Sequence, residues 1–333
     1  MKKVVVTGGA GLIGSYLTEL LIDDEDEVVV IDDFSKGKKE NLDNVRSGIK
    51  LVQADLEEPD VADDVFTGVD TVYHLASRAY GVGYSSRHHL DMLEHNERLT
   101  NNVLRAARVR GVKRMLITSS SCVHRDDGPD TVGELALFDG EPEVVNWGYG
   151  WAKRFLEQKA AIYARETGMQ MTVVRPFNIY GERYRWMGTD SQAIPMLVKK
   201  VLDNTGKVEI WGSGKQRRNY MHALDCARIM KQLVTGNVCD GPVNIGFSET
   251  VSVTELVEMI CRAANVTPEL EYDETKPEGR FIKSSDPCRL LSLLPGFEQK
   301  IPLEEGVGRM IGWYKDTFPM SKEDQSSDVA GKS

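Results

Sequence analysis

The amino-acid sequence predicts an α/β architecture: a doubly wound parallel sheet followed by a smaller C-terminal lobe. Three observations carry this. Short apolar runs alternate with amphipathic stretches through the first half of the chain, the rhythm of strand–helix–strand crossovers. The apolar runs are β-branched and nearly continuous, as strands covered on both faces are. After Asn178 the rhythm breaks, glycine and charged residues become frequent (181–188, 212–218), and helical patterns dominate.

The expected strands are Lys3–Thr7, Glu27–Asp32, Ile49–Ala54, Thr71–Leu75, Arg114–Ser119 and Gln170–Arg175. Between them Leu12–Ile22, Leu90–Val109 and Gly150–Thr167 have helical periodicity. Later helices are expected at Gln192–Leu202, Leu224–Thr235, Val253–Ala264 and Pro302–Thr317. The domain reading is residues 1–178 for the dinucleotide-type sheet, with some later elements free to return to it. Residues 179–320 form the second lobe, and the polar stretch 321–333 a frayed tail.

Hydrophobic residues make up 41% and charged residues 28% of the 333-residue chain, an ordinary globular balance. The net charge of −10 argues against a nucleic-acid partner, since phosphate backbones call for clustered Lys and Arg. Charges interrupt every long apolar run, so no membrane span is expected. Val4–Val6 open a strand almost at once, which predicts no signal peptide. The five cysteines are widely spaced with no CxxC pair, which indicates neither a metal site nor a disulfide framework. Reduced thiols and a cytoplasmic location are the expectation.

Thr7-Gly8-Gly9-Ala10-Gly11-Leu12-Ile13-Gly14 follows the first strand and opens the first helix. Glycines there permit a tight turn and a close backbone approach to a pyrophosphate, which the helix N-terminus attracts. Asp32 ends the second strand, where a carboxylate can hold ribose hydroxyls and repel a 2′-phosphate; NAD is therefore favoured over NADP. Asp33 competes for that role. Asp55-Leu56 either reaches the adenine or caps the next helix. Leu75, Ala76 and Ser77 follow the fourth strand, where small residues let the backbone pass close to the cofactor. His74 reads as a packed strand residue.

Tyr149 and Lys153 are four residues apart on a helical stretch and share a face. A free tyrosine, with a pKa of about 10, is a poor base at neutral pH. A neighbouring ammonium favours the phenolate, which makes Tyr149 a candidate general base. Lys153 can also hold the nicotinamide ribose. The Ser120 hydroxyl, just past the fifth strand, can hydrogen-bond an oxygen being oxidised.

These pieces together resemble the extended short-chain dehydrogenase/reductase family, in particular its nucleotide-sugar epimerases and dehydratases. The likeness runs through TGGAGLIG (7–14), Asp32, Asp55-Leu56, HLAS (74–77), Asn96, TSSSC (118–122), YGWAK (149–153), RPFNIYG (175–181) and WGSGKQRRNYMHALD (211–225), nearly the whole chain. The resemblance implies a Rossmann-type NAD domain, a lobe that binds a GDP- or UDP-linked sugar, a homodimer through a helix pair, and a first step of oxidation at the sugar C4. It further implies cofactor contacts from Asn96, and substrate contacts from Asn178 and from Arg218 as the diphosphate arginine. Arg280 is a second such arginine; either arginine could instead make a surface ion pair.

Within the family, dehydratases carry Asp-Glu where this chain has Ser121-Cys122, so dehydration is disfavoured, and decarboxylation likewise. Cys122 and the glycines Gly81 and Gly83 are similar to GDP-mannose 3,5-epimerases; Cys122 is also similar to GDP-fucose synthases. A thiol there could remove a proton beside a C4 ketone. It could equally be a small strand-end residue. One departure stands out: where those enzymes place a second acid/base, this chain has Gln192, and an amide carries no useful proton. His124 stands where a tyrosine is usual. The leading expectation is an epimerase working through a 4-keto intermediate. A C4 epimerase, a C4 dehydrogenase and, in another class, a non-catalytic NAD-binding sensor are the alternatives.

Overall fold

The computed structural model describes residues 2–24, 27–134, 138–184, 192–203, 206–276 and 279–318. The stretch 321–333, read above as a tail, lies outside the described residues. Seven strands form one parallel sheet: β1 (Lys3–Thr7), β2 (Glu27–Asp32), β3 (Ile49–Gln53), β4 (Thr71–His74), β5 (Arg114–Thr118), β6 (Gln170–Pro176) and β7 (Pro242–Ile245). Their order is β7-β6-β5-β4-β1-β2-β3. The order reverses between β1 and β4, which opens a crevice at the carboxyl ends of those strands, where ligands of open α/β sheets bind.

The main helices are α1 (Leu12–Ile22), α2 (His89–Val109), α3 (Trp147–Thr167), α4 (Ala193–Asp203), α5 (Ala223–Thr235), α6 (Val253–Ala264) and α7 (Leu303–Thr317). On one face of the sheet α1 and α5 pack together, with Leu17, Leu21, Ile229 and Leu233 under them. On the other face α2 and α3 bury Val103, Leu104, Leu156 and Ala160. Strands covered on both sides explain the uninterrupted apolar runs of β1 and β2.

Element ends move by a residue or so from the sequence reading, except at α3. There the helix starts at Trp147 rather than Gly150, which puts Tyr149 inside its first turn. It ends at Gly168, whose φ of 72° supplies the left-handed cap. The chain after residue 178 is not confined to a second lobe: α5 and β7 return to the main sheet.

The remaining elements surround a second core of Ile194, Val198, Leu256, Ile260, Val307 and Met310 on α4, α6 and α7. Ser252 and Glu255 start α6 with a reciprocal capping box. Beside this core a four-stranded sheet joins Val251–Ser252, Arg217–Arg218, β8 (Ile282–Ser285) and Thr131–Val132. Thr131–Val132 comes from the first half of the chain, so the small sheet joins the two halves. Among the described residues no helix is long and apolar enough to cross a membrane.

Candidate active site

The dinucleotide end is built by backbone. Gly8 has φ +67° and donates its N–H to the Ile31 carbonyl at 2.8 Å. A Cβ at Gly8 would lie 2.7 Å from the Ala76 nitrogen, and one at Gly14 2.2 Å from the Gly8 carbonyl oxygen. The turn therefore fits only without side chains. α1 begins after Gly11, whose position carries no side-chain cap, so the helix's first amides stay open to an anion. Leu12 and Ile13 pack into the core beneath.

Asp32 is buried, and its carboxylate accepts the Ala10 N–H at 2.9 Å and the Phe34 N–H at 2.8 Å. Burial raises its pKa against the pull of those two backbone bonds. Asp33 turns instead to Arg78, at 2.9 Å. Arg78, which sequence reading missed, also reaches Asp55 at 3.3 Å and Glu57 at 3.1 Å. Asp55 in addition accepts the Glu57 N–H at 2.8 Å, a local turn cap, and Leu56 is core.

Leu75 donates its N–H to the Thr7 carbonyl at 3.1 Å, and Ala76 donates to the Thr7 hydroxyl at 3.2 Å. That hydroxyl also meets His74 Nδ1 at 2.8 Å; burial and Lys153 push His74 down to about 3, so it is neutral. Asn96 accepts the Ser77 hydroxyl at 2.8 Å and the Arg78 N–H at 3.1 Å, and donates to the Arg78 and Met92 carbonyls. Its carboxamide thus shapes the loop after β4. The side-chain-free turn, the open helix start and the buried Asp32 fit a dinucleotide.

The candidate catalytic face is set by the start of α3. A Cβ at Gly148 would lie 1.9 Å from the His89 carbonyl, and one at Gly150 2.7 Å from the Cys122 carbonyl. Glycine on both sides of Tyr149 lets the helix close onto the loop after β5. Lys153 is buried, donates to the Thr118 carbonyl at 2.9 Å, and lies 5.3 Å from the centre of the Tyr149 ring. Burial pulls its pKa from 10.5 to about 8, against the opposing effects of Cys122 and Glu157. Burial and Cys122 raise the Tyr149 phenol, while hydrogen bonds with Ser77 and Ser120 lower it. The Ser120 hydroxyl also accepts the Cys122 N–H at 3.2 Å, capping the short turn 121–123. Tyr184 is partly exposed and lies near Tyr149.

Two further residues at this face were invisible in sequence. Glu143, just before α3, and Lys283, on β8, form a buried ion pair at 3.1 Å. Lys283 Nζ is 4.0 Å from Cys122 Sγ. Burial drives the Cys122 thiol up to about 12; Lys283 opposes this, and Glu143 adds to it. Glu143 is held down at about 2, its burial outweighed by Lys283, Cys122 and Asn146. His124 is pushed down to about 3 by burial, Arg175 and Lys283.

The residues expected to meet a substrate fall into two groups. Asn178, at φ 41°, donates to Asn219 Oδ1 at 3.3 Å where β6 passes into the second lobe. Arg218 lies on the small sheet beside β8 and donates to the Arg217 carbonyl at 2.8 Å. Gly81 begins the short helix Val82–Ser85, and Gln192 lies one residue ahead of α4, its carbonyl accepting the Met196 N–H at 3.2 Å. Arg280 is different: its guanidinium donates to the carbonyls of Arg125 at 3.0 Å, Gly128 at 2.9 Å and Pro129. Its fork ties down the loop 125–129, and the cation that β8 brings to Cys122 is Lys283.

Residues 4–246 match the NAD-dependent epimerase/dehydratase family. The chain is 29% identical over 330 residues to GDP-mannose 3,5-epimerase 1 of Oryza sativa subsp. japonica, covering 99% of this chain and 85% of the relative. It is 28% identical over 316 residues to UDP-glucuronic acid decarboxylase 1 of Xenopus tropicalis, covering 94% and 72%. Among solved structures, UDP-glucose 4-epimerase of Thermotoga maritima with UDP-glucose superposes with a TM-score of 0.83 at 25% identity, covering 95% of this chain and 99% of that one. The chain belongs to the NAD-dependent epimerase/dehydratase family. It is an NAD-dependent enzyme with a Rossmann-type sheet.

Proposed function

We propose that this enzyme epimerises a GDP- or UDP-linked sugar through a 4-keto intermediate, in the manner of the GDP-mannose 3,5-epimerases. The observation that carries the reading is the thiol of Cys122 beside Ser120 and Tyr149, where dehydratases would carry an acid pair. NAD, when bound, would supply the hydride acceptor for C4. Tyr149 takes the hydroxyl proton, assisted by the Lys153 ammonium, and Ser120 orients the same oxygen. The ketone acidifies the neighbouring carbon protons, and Cys122 is the group that would act on one of them.

The crevice at the carboxyl ends of β1 and β4 is where the nucleotides would bind. Gly8, Gly11 and Gly14 admit the pyrophosphate of NAD, Asp32 holds its ribose, and Arg218 with Asn178 faces the sugar diphosphate. A UDP-sugar 4-epimerase is the second reading, favoured by the superposition on the Thermotoga maritima enzyme. The α3 surface carries Trp147, Phe155 and Ile162 exposed in one stripe, with Leu90 and Val109 exposed on the adjacent α2. Exposed apolar side chains along these two adjacent helices offer a surface for a second copy.

The test is turnover of candidate GDP- and UDP-sugars in D2O, read by NMR. Deuterium at C3 or C5 is the expected result. A changed C4 configuration without deuterium would replace this reading with the second one. Tyr149→Phe should keep NAD affinity and lose turnover; undiminished turnover would rule out the phenol as base.

A further inference from the structure

Gln192 cannot exchange a proton, so the chemistry beside the ketone rests on Cys122 and on what sets its proton affinity. β8 brings a charge to it. Lys283 comes 161 residues after Cys122 in sequence, yet its Nζ lies 4.0 Å from the sulfur and 3.1 Å from Glu143 Oε2. Glu143 is held in turn by Asn146 Nδ2 at 2.8 Å. Both charged groups are more than nine-tenths buried. Breaking such a pair is costly, and swapping it for apolar residues often is not, so it is not explained by stability alone.

We propose that the Lys283–Glu143 pair is a built-in setting for the proton affinity of Cys122, with Lys283 as the positioning residue that makes the sulfur usable as the acid/base next to the ketone. This rests on the epimerase reading given above. In the step, the thiolate sulfur takes the proton from the carbon beside C4. The S–H bond forms as the C–H bond breaks, and the electron pair passes to the C4 oxygen, where the Tyr149 phenol, protonated in the oxidation, donates to it. The ammonium stabilises the thiolate before the transfer, and Glu143 on its other side offsets part of that effect, so the pair together sets the sulfur's proton affinity. Burial raises the thiol, and Lys283 is the largest influence against that rise. The other charged or titratable groups facing the trio are Tyr149 and Lys153 from α3, His124 from the loop after β5, and Arg218 from the neighbouring strand.

The experiment follows alkylation of Cys122 by iodoacetamide against pH. It uses the NAD-loaded enzyme, with the exposed Cys239 and Cys288 changed to serine and the Cys122 peptide quantified by mass spectrometry. Lys283→Met should move the profile to higher pH and slow alkylation at pH 8 by about tenfold, the loss of one neighbouring charge partly neutralised by Glu143. Glu143→Gln, which removes the opposing charge, should speed it. A fold merely disturbed would not give opposite shifts. Where a single variant does not fold, Lys283→Arg keeps the charge and should hold the profile within about threefold. Profiles of Lys283→Met and Glu143→Gln that coincide with the parent, or a large shift in Lys283→Arg, overturn the proposal. Shifted profiles with no deuterium incorporated from D2O into any sugar nucleotide would instead sink the epimerase reading and leave the coupling standing.

Discussion

Gly14→Ala tests how the dinucleotide turn works. The added Cβ would stand 2.2 Å from the Gly8 carbonyl oxygen and 2.8 Å from the Gly9 Cα, and both obstacles are backbone. Ordinary carbon–oxygen contacts are roughly 3.3 Å, so the turn must retreat by about 1 Å. Overpacking of this kind costs about 1–3 kcal/mol. The free protein relieves the clash by moving the turn off α1, and NAD binding must reverse that movement, so most of the cost appears in affinity. At a factor of ten per roughly 1.4 kcal/mol, the dissociation constant for NAD should rise by about 5- to 150-fold. Gly11→Ala is the control. Its Cβ would lie 3.1 Å from the same oxygen, and Gly11 has an ordinary φ of −75°. A few tenths of an ångström suffice, and the loss should stay below about fivefold. Isothermal titration of NAD, with melting curves to show both variants folded, decides the matter. Gly14→Ala binding within twofold of the parent, or Gly11→Ala losing as much, would refute the close-approach argument.

Glu157→Gln breaks a buried pair in which Arg175 donates to both carboxylate oxygens, at 2.8 and 2.7 Å. It strands the guanidinium in the core and should cost about 3 kcal/mol or more, seen as a melting temperature lower by several degrees; an unchanged melt would contradict it. Lys153 gives a pH signature. Its pKa falls from 10.5 in the unfolded chain to about 8 in the fold, so between those values the unfolded chain binds more protons and stability rises with pH. Relative to Lys153→Met, the parent should therefore gain about 3 kcal/mol between pH 7 and 10.5 in denaturant melts, and a constant difference would refute the shift. If the proposed second copy docks on α3, Phe155→Glu with Ile162→Glu on its exposed face should turn a dimer into a monomer by sedimentation. Unchanged assembly would move the interface elsewhere.

Much of this enzyme is legible along the chain because its signals are local. The β-branched runs of β1 and β2 state that they are covered on both faces. The glycine turn, Asp32 and the four-residue spacing of Tyr149 and Lys153 lie within single strand–turn–helix units, where backbone geometry follows from a few neighbours. What the tertiary structure alone decided are the contacts made across the sheet order and between the two lobes. β7 and α5 return to the first sheet after a long excursion, which no local pattern announces. Arg78 gathers Asp33, Asp55 and Glu57 from separate loops. Arg280 looked the better cation in sequence, since a guanidinium suits phosphate, yet its fork is taken up by backbone carbonyls of the loop 125–129. Lys283, in a short strand with no motif around it, is the cation that reaches Cys122, because β8 pairs with Arg217–Arg218 on one side and Thr131–Val132 on the other. A charge acts over a few ångströms of space and carries no periodicity, so its partner 140 residues away can be found only once the strands are in register.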